Sequence, residues 1–224
     1  PKAGGSKPTG TWTDEGGYSS LSGSDSASSR PPNLLFSSPS SGSSVMSLRW
    51  SPNGNHVAVA SDDSYITVYN LSSAPSSTVG FSSSSSSNLE NWSKKHVLRG
   101  HSLDCVDLAW SPTASHLVTC SLDSKAPICV WDLTSSSSSL VVSPCKVLGV
   151  DSHPGGCKGV CFDPCGLYFC TSGDSPNLSI WSTRTWSLER TMSECFSEKT
   201  DLTMFRRISW SPDGTGLGVS NCNV

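Results

Sequence analysis

His101, Ser121 and Asp123 are the residue types of a base, a nucleophile and an orienting carboxylate, and His153, Cys157, Cys161 and Cys165 follow one another at intervals of four. Neither set carries the surroundings its chemistry requires. No Gly-x-Ser-x-Gly elbow is present to expose a serine nucleophile. The cysteines form no paired Cys-x-x-Cys knuckle, and on a strand residues 157 and 161 share a face while the turn at Asp163-Pro164 redirects Cys165. No catalytic set, metal site or cofactor motif is therefore assigned.

The elements that would have to position such residues come from an unusual composition. Of 224 residues, 51 are serine, 35% are hydrophobic and 15% are charged. The serine runs offer no apolar surface to a core, so the folding part is shorter than the chain. Residues 1–44 are rich in Ser, Gly and Pro, with Trp12, Tyr18 and Leu21 at no fixed period. Burial there cannot offset the ordering entropy, and the segment is predicted to be mostly disordered. The same composition returns at 72–87 and 134–139, which read as loop insertions.

A net charge of -3 and a pI near 5.9 give no global positive field, which argues against strong nucleic-acid binding through the whole surface. No run approaches the roughly 18 apolar residues of a membrane helix. The first thirty residues lack the apolar region of a signal peptide. Ten cysteines without such a signal read as free thiols of a reducing compartment. The chain begins at Pro1 without an initiator Met, as a fragment or a processed product does.

What lies between the serine tracts repeats. VMSLRWSPNGNHVAVASDDSYITVYNL at 45–71, CVDLAWSPTASHLVTCSLDSKAPICVWDL at 105–133 and CKGVCFDPCGLYFCTSGDSPNLSIWST at 157–183 superpose, and FRRISWSPDGTGLGVSN starts a fourth copy at Phe205. Trp50, Trp110, Phe162 and Trp210 coincide, 60, 52 and 48 residues apart. Each complete copy reads as an alternating run ending at that aromatic, a turn (SPNG, SPTA, DPCG), a second run, an Asp turn and a third run ending at Tyr69, Trp131 or Trp181. His96–Gly100 and Trp186–Met192 supply fourth strands. Four short antiparallel strands at this period are the pattern of a β-propeller blade. The recurring aromatics are expected to pack between adjacent blades. Cys157 aligns with Cys105, and Cys161 with Ala109, so these thiols fill small apolar positions. The basic doublets Lys94-Lys95 and Arg206-Arg207 are expected at solvated or edge positions.

One copy carries Gly100-His101 at its start and Trp131-Asp132 at its end, with Ser121 and Asp123 between them, and in this it resembles the WD40 repeat. That resemblance implies a buried hydrogen-bonded chain of His101, Ser121, Asp123 and Trp131 tying the inner strands to the turn. The neighbouring copies keep parts of it: Ser61, Asp63 and Tyr69 in the first, His153, Asp174 and Trp181 in the third. The expected fold is all-β, a WD40 β-propeller fragment at 45–224 with repeats at about 45–71, 96–133, 146–183 and 204–224. Three blades and part of a fourth are visible, whereas a closed ring of this kind is expected to have seven.

NLENWSKKHVLRGHSLDCVDLAWSP at 88–112, with Trp92 and Trp186 outside the WD positions, is further similar to the propeller of the HIRA/Hir histone-chaperone family. The resemblance implies a nuclear scaffold subunit of a histone chaperone complex, acting in replication-independent nucleosome assembly and transcriptional regulation. It would dock a ubinuclein/Hpc-type subunit and meet histones indirectly, without direct sequence-specific nucleic-acid contact, membrane attachment or cofactor. Self-association of the full-length protein stays open. Leu103, Asp104, Gly156 and Lys158, in the loops leading into first strands, are the expected partner surface. A WD40 scaffold of another assembly, such as a ubiquitin-ligase substrate receptor or an RNA-processing complex, is the alternative; a thiol- or metal-dependent hydrolase is the third.

Overall fold

A computed structural model describes residues 43–72, 91–134, 139–194, 196 and 205–220. Every regular element among them is a β-strand, and no helix there is long and apolar enough to cross a membrane. All but two residues of the segment 1–44 lie outside the described residues, as do 73–87 and 135–138 of the two insertions.

The first sheet joins β1 (Val45–Trp50), β2 (His56–Ser61), β3 (Ile66–Ser72) and β4 (Asn91–Leu98) in antiparallel order. The second is β5 (Cys105–Trp110), β6 (His116–Ser121) and β7 (Ile128–Asp132). Between β7 and the second sheet's outer strand lies a two-residue element that no periodicity could announce. This β8 (Val141–Val142) crosses to the first sheet and pairs parallel with β4, while β9 (Lys146–Leu148) completes the second. The third sheet is β10 (Cys157–Phe162), β11 (Tyr168–Gly173), β12 (Leu178–Ser182) and β13 (Ser187–Met192), and β14 (Ile208–Trp210) with β15 (Leu217–Val219) opens a fourth.

Successive sheets pack face to face, and this explains why their strands are not simply amphipathic. Leu117, Cys129 and Trp131 of the second sheet pack with Ala58, Ile66 and Val68 of the first. Val118, Ile128 and Val130 point the other way, onto Cys157, Phe169 and Trp181 of the third. A sheet covered on both faces needs apolar residues at consecutive positions, as in ICVW and HLVTC. Cys170, Leu178 and Ile208 continue the core into the fourth sheet. This is the arrangement of propeller blades, three complete and one begun.

The turn after each inner strand is one structure written four times. The N–H of Gly54, Ala114, Gly166 or Gly214 donates to the carbonyl of the residue three positions earlier, at 2.8 to 3.0 Å. The side-chain oxygen of that earlier residue, Ser51, Ser111, Asp163 or Ser211, then accepts the N–H five positions ahead of it, at 2.8 to 3.0 Å. The fourth position is left-handed in every copy, with φ of 72°, 57°, 72° and 73°. Three copies supply glycine there, and the second has Ala114, whose Cβ crowds the backbone in that region. Ala114→Gly is expected to stabilise the fold by about 1 kcal/mol, read as a higher urea midpoint with unchanged slope.

Candidate functional site

His101 leaves the β4–β5 loop and enters the second blade almost completely buried. Its Nδ1 lies 2.7 Å from the carbonyl of Ala126 and its Nε2 2.7 Å from Thr119 Oγ1. A carbonyl only accepts, so the proton sits on Nδ1 and Nε2 is the acceptor. The Thr119 hydroxyl therefore donates to the ring, and its oxygen accepts the indole N–H of Trp131 at 2.9 Å. Burial lowers the His101 pKa to about 4, against smaller raising effects of the Ala126 carbonyl and Asp123, so the ring is neutral at pH 7.

The third blade repeats the histidine, threonine and tryptophan contacts, but the buried His153 Nδ1 has no hydrogen-bond partner among the described residues, so no carbonyl fixes its tautomer as Ala126 does for His101. His153 Nε2 lies 2.8 Å from Thr171 Oγ1, which accepts the Trp181 indole N–H at 2.8 Å. Burial again lowers the histidine pKa to about 4. Sequence reading missed both threonines, although each stands 18 residues after its histidine, a recurrence visible in the sequence. In the first blade Val59 occupies the equivalent strand position and Tyr69 the tryptophan's, so no threonine hydroxyl stands there.

The expected chain of His101, Ser121, Asp123 and Trp131 thus divides in two. Ser121 does not reach His101; it sits at the end of β6, donates to the carbonyl of Leu103 at 3.1 Å and accepts the Asp123 N–H at 3.1 Å. Asp123 accepts the Ser102 hydroxyl at 2.5 Å, the Ser102 N–H at 3.0 Å and the Lys125 N–H at 2.9 Å. Burial alone would raise this carboxyl, but the bonds from Ser102 and Lys125 outweigh it and hold the group below its ordinary range. In the first blade Asp63 accepts hydrogen bonds from the Ser43 hydroxyl and the Tyr65 N–H. Asp174, by contrast, is ion-paired with Lys158.

A third polar feature is Asp107, a carboxylate in the apolar run of β5 with 1% exposure. It accepts from Ser47 Oγ at 3.0 Å, from Arg49 Nη2 at 3.4 Å and from the Val160 N–H at 3.4 Å. One carboxylate thereby ties together the inner strands β1, β5 and β10.

The residues expected to face a partner separate. Leu103 is 52% exposed and Asp104 half-buried, but Gly156 and Lys158 are interior. Gly156, at φ +90°, leaves no room for a Cβ, which would stand 2.6 Å from the Leu122 backbone of the neighbouring blade. Lys158 is held by its ion pair with Asp174 at 7% exposure. Arg206, expected in a solvated doublet, is also buried and donates to the carbonyls of Gly173 and Ser175 at 2.9 and 3.2 Å. Neighbouring residues of an extended chain point to opposite sides, so only Arg207 of that pair meets solvent.

The recurring aromatics share a position but not an environment. Trp110 lies between the first and second sheets, its indole donating to the Arg49 carbonyl at 3.1 Å. Trp50 is half exposed and meets Trp92 edge-on within its own sheet, a correction to the expected packing between blades. The run of possible metal ligands disperses as well: His153 belongs to the Thr171 network, Cys157 is buried against the carbonyls of Gly159 and Ser172, and Cys165 is exposed. Among the described residues no three His, Cys, Asp or Glu side chains converge as a metal would need. Burial raises the Cys105, Cys120, Cys129, Cys161 and Cys170 thiols, which disfavours the reactive thiolate. The eight described cysteines are free.

The family described as WD domain, G-beta repeat matches residues 32–70, 92–132 and 142–182. The chain belongs to the WD40 repeat family. Among curated relatives it is 38% identical over 190 residues to Protein HIR1 of Cryptococcus neoformans var. neoformans serotype D, covering 85% of this chain and 20% of that protein. It is 37% identical to Protein HIR1 of Mycosarcoma maydis over 80% of this chain and 16% of the relative, and 33% identical to Protein hir1 of Schizosaccharomyces pombe over 79% and 18%. The chain thus spans about a fifth of the length of these relatives. They agree with the family resemblance read from the sequence. A chain in the crystal structure of the mitotic checkpoint complex matches the fold at a TM-score of 0.58 and 16% identity, over 81% of this chain and 45% of that one.

In these WD40 blades the histidine and threonine act as interior fasteners, not as acid and nucleophile. Thr119→Val keeps the shape but strips the partners from the Trp131 N–H and His101 Nε2; a loss of about 2–4 kcal/mol is expected in urea unfolding. Both histidines also make stability depend on pH. In the unfolded chain they protonate near pH 6.5, in the folded one only near 4. Stability is therefore complete above pH 6.5 and falls toward pH 4, by up to about 1.4 kcal/mol per pH unit for each histidine. Urea midpoints between pH 7 and 5 should show the fall, and His153→Gln should make it shallower.

Proposed function

We propose that this WD40 chain is a protein-interaction scaffold, part of a HIRA-like subunit of a nuclear histone chaperone complex for replication-independent nucleosome assembly and transcriptional regulation. The observation that carries the reading is the 38% identity to a HIR1 protein across 85% of the chain. The blade geometry supports the scaffold half of it. The residues that sequence alone could arrange as a catalytic set, His101, Ser121 and Asp123, are consumed in bonds within one blade. The loops and strand ends are left to meet partners, as on other rigid sheet scaffolds. Leu103, 52% exposed beside Asp104 in the β4–β5 loop, remains a candidate contact for a ubinuclein/Hpc-type subunit.

The test is a pull-down from nuclear extract with the full-length protein. Co-recovery of a ubinuclein/Hpc-type subunit together with histones is expected, with Leu103→Asp reducing the yield. Recovery of ubiquitin-ligase or RNA-processing subunits without histone chaperones overturns the assignment in favour of another WD40 assembly.

A further inference from the structure

Five Ser-Pro pairs lie among the described residues, and four of them are tied into turns. Ser51, Ser111 and Ser211 accept the N–H five positions ahead, and a small residue, Gly54, Ala114 or Gly214, stands third after each. The carbonyl of Ser175, before Pro176, accepts the Asn177 N–H and an Arg206 N–H, and its third residue is the buried Leu178. Ser143-Pro144-Cys145-Lys146 differs in each respect. Ser143, Cys145 and Lys146 are exposed, the serine makes none of these turn bonds, and a lysine stands in the third place.

The fold sets a cation beside this serine. Ser143 follows β8, whose Val141 and Val142 pair in parallel with Val97 and Leu98. Paired residues of a parallel ladder share a face and successive ones alternate, so Leu98 and Val142 turn to the core together while Arg99 and Ser143, one step on, both turn outward. The Arg99 N–H donates to the Val142 carbonyl at 3.0 Å, which holds the two backbones side by side there. The exposed Arg99 guanidinium lies 4.6 Å over the Tyr65 ring, and among the described residues no carboxylate pairs with it. Neighbouring strands lie about 4.8 Å apart, within the span of an arginine side chain.

We propose that Ser143 is a phosphorylation site for a proline-directed serine kinase and that Arg99 receives the phosphate. Pro144 holds Ser143 extended and carries no N–H of its own, which suits a substrate cleft without an acceptor at that place, and the Lys146 ammonium is free to meet acidic groups beyond it. The Ser143 Oγ attacks the γ-phosphorus of magnesium ATP supplied with the kinase. The new O–P bond forms as the bond to the β–γ bridging oxygen breaks, ADP leaves with that electron pair, and the hydroxyl proton passes to the kinase's carboxylate base. The product adds about −1.5 to −2 charge and three acceptor oxygens. The Arg99 fork then leaves the Tyr65 ring and binds two of them, fastening the two-residue β8 to the edge of the first blade. Arg206-Arg207-Ile208-Ser209 carries the arginine pair that basic-directed kinases read, but Arg206 is buried on the carbonyls of Gly173 and Ser175 and is not presented. The inference does not depend on which assembly the scaffold serves.

The test treats the whole chain with magnesium ATP and a proline-directed kinase that phosphorylates a Ser-Pro-x-Lys control peptide, and maps phosphate by mass spectrometry. Phosphate is expected on Ser143 and is lost from that peptide in Ser143→Ala, and Lys146→Ala should slow its addition about tenfold. Amide hydrogen exchange reads the clamp. The Val97 and Arg99 N–H groups, bonded to the Leu140 and Val142 carbonyls, should exchange about two- to fivefold more slowly in the phosphorylated protein. The slowing should vanish in Arg99→Gln and shrink as salt rises. Urea midpoints of the variants show that each is folded. Ser143 left unmodified by a kinase that modifies the control peptide, phosphate confined to the serine tracts, or exchange that phosphorylation leaves unchanged or slows equally in Arg99→Gln overturns the proposal.

Discussion

A threonine hydroxyl bonded at once to a histidine and a tryptophan sets the geometry of two blades, and in the second it must donate and accept at the same moment. Thr119 gives its proton to His101 and takes one from Trp131; Thr171 takes one from Trp181 and lies 2.8 Å from His153 Nε2. All six side chains are buried, where an unpaired donor or acceptor costs about 1–3 kcal/mol. The indole therefore cannot rotate, the imidazole is held in one orientation, and the loop that carries the histidine is drawn down onto the sheet. In the first blade Val59 takes this place.

Blade-to-blade order rests on a different element, the Asp107 carboxylate. Face-to-face packing of sheets is apolar and tolerant of sliding, whereas bonds from Ser47, Arg49 and the Val160 N–H fix how far each inner strand runs past its neighbours. Strand pairing within blades, fasteners inside them and this carboxylate between them divide the work of specifying the fold.

Much of this was legible in the sequence for definite reasons. The aromatic-Ser-Pro and Phe-Asp-Pro punctuation marks a turn that needs a side-chain acceptor first and a left-handed residue fourth, and both requirements are written in the chain. The threonines escaped because a β-branched residue inside LVTC or FCTS reads as ordinary strand filler. Ser121 held their place in the reading because the WD40 resemblance implied a chain of His101, Ser121, Asp123 and Trp131. Gly156 and Lys158 looked like loop residues, but the loop ends inside a contact between blades, a tertiary fact with no local signal. Arg206 was misjudged together with Arg207 because composition ignores the alternation of an extended chain.

The outer rim of the first blade shows how such a chain keeps foreign strands away. β8 lies along β4, where the Val97 N–H donates to the Leu140 carbonyl at 2.7 Å and the Arg99 N–H to the Val142 carbonyl at 3.0 Å. Farther along β4, Lys94 and Lys95 set two exposed ammonium groups on the remaining stretch. A blade capped in this way is a poor template for another molecule's backbone. Recognition on that side is thereby shifted from hydrogen-bonded strand addition toward side-chain readout at the strand tips.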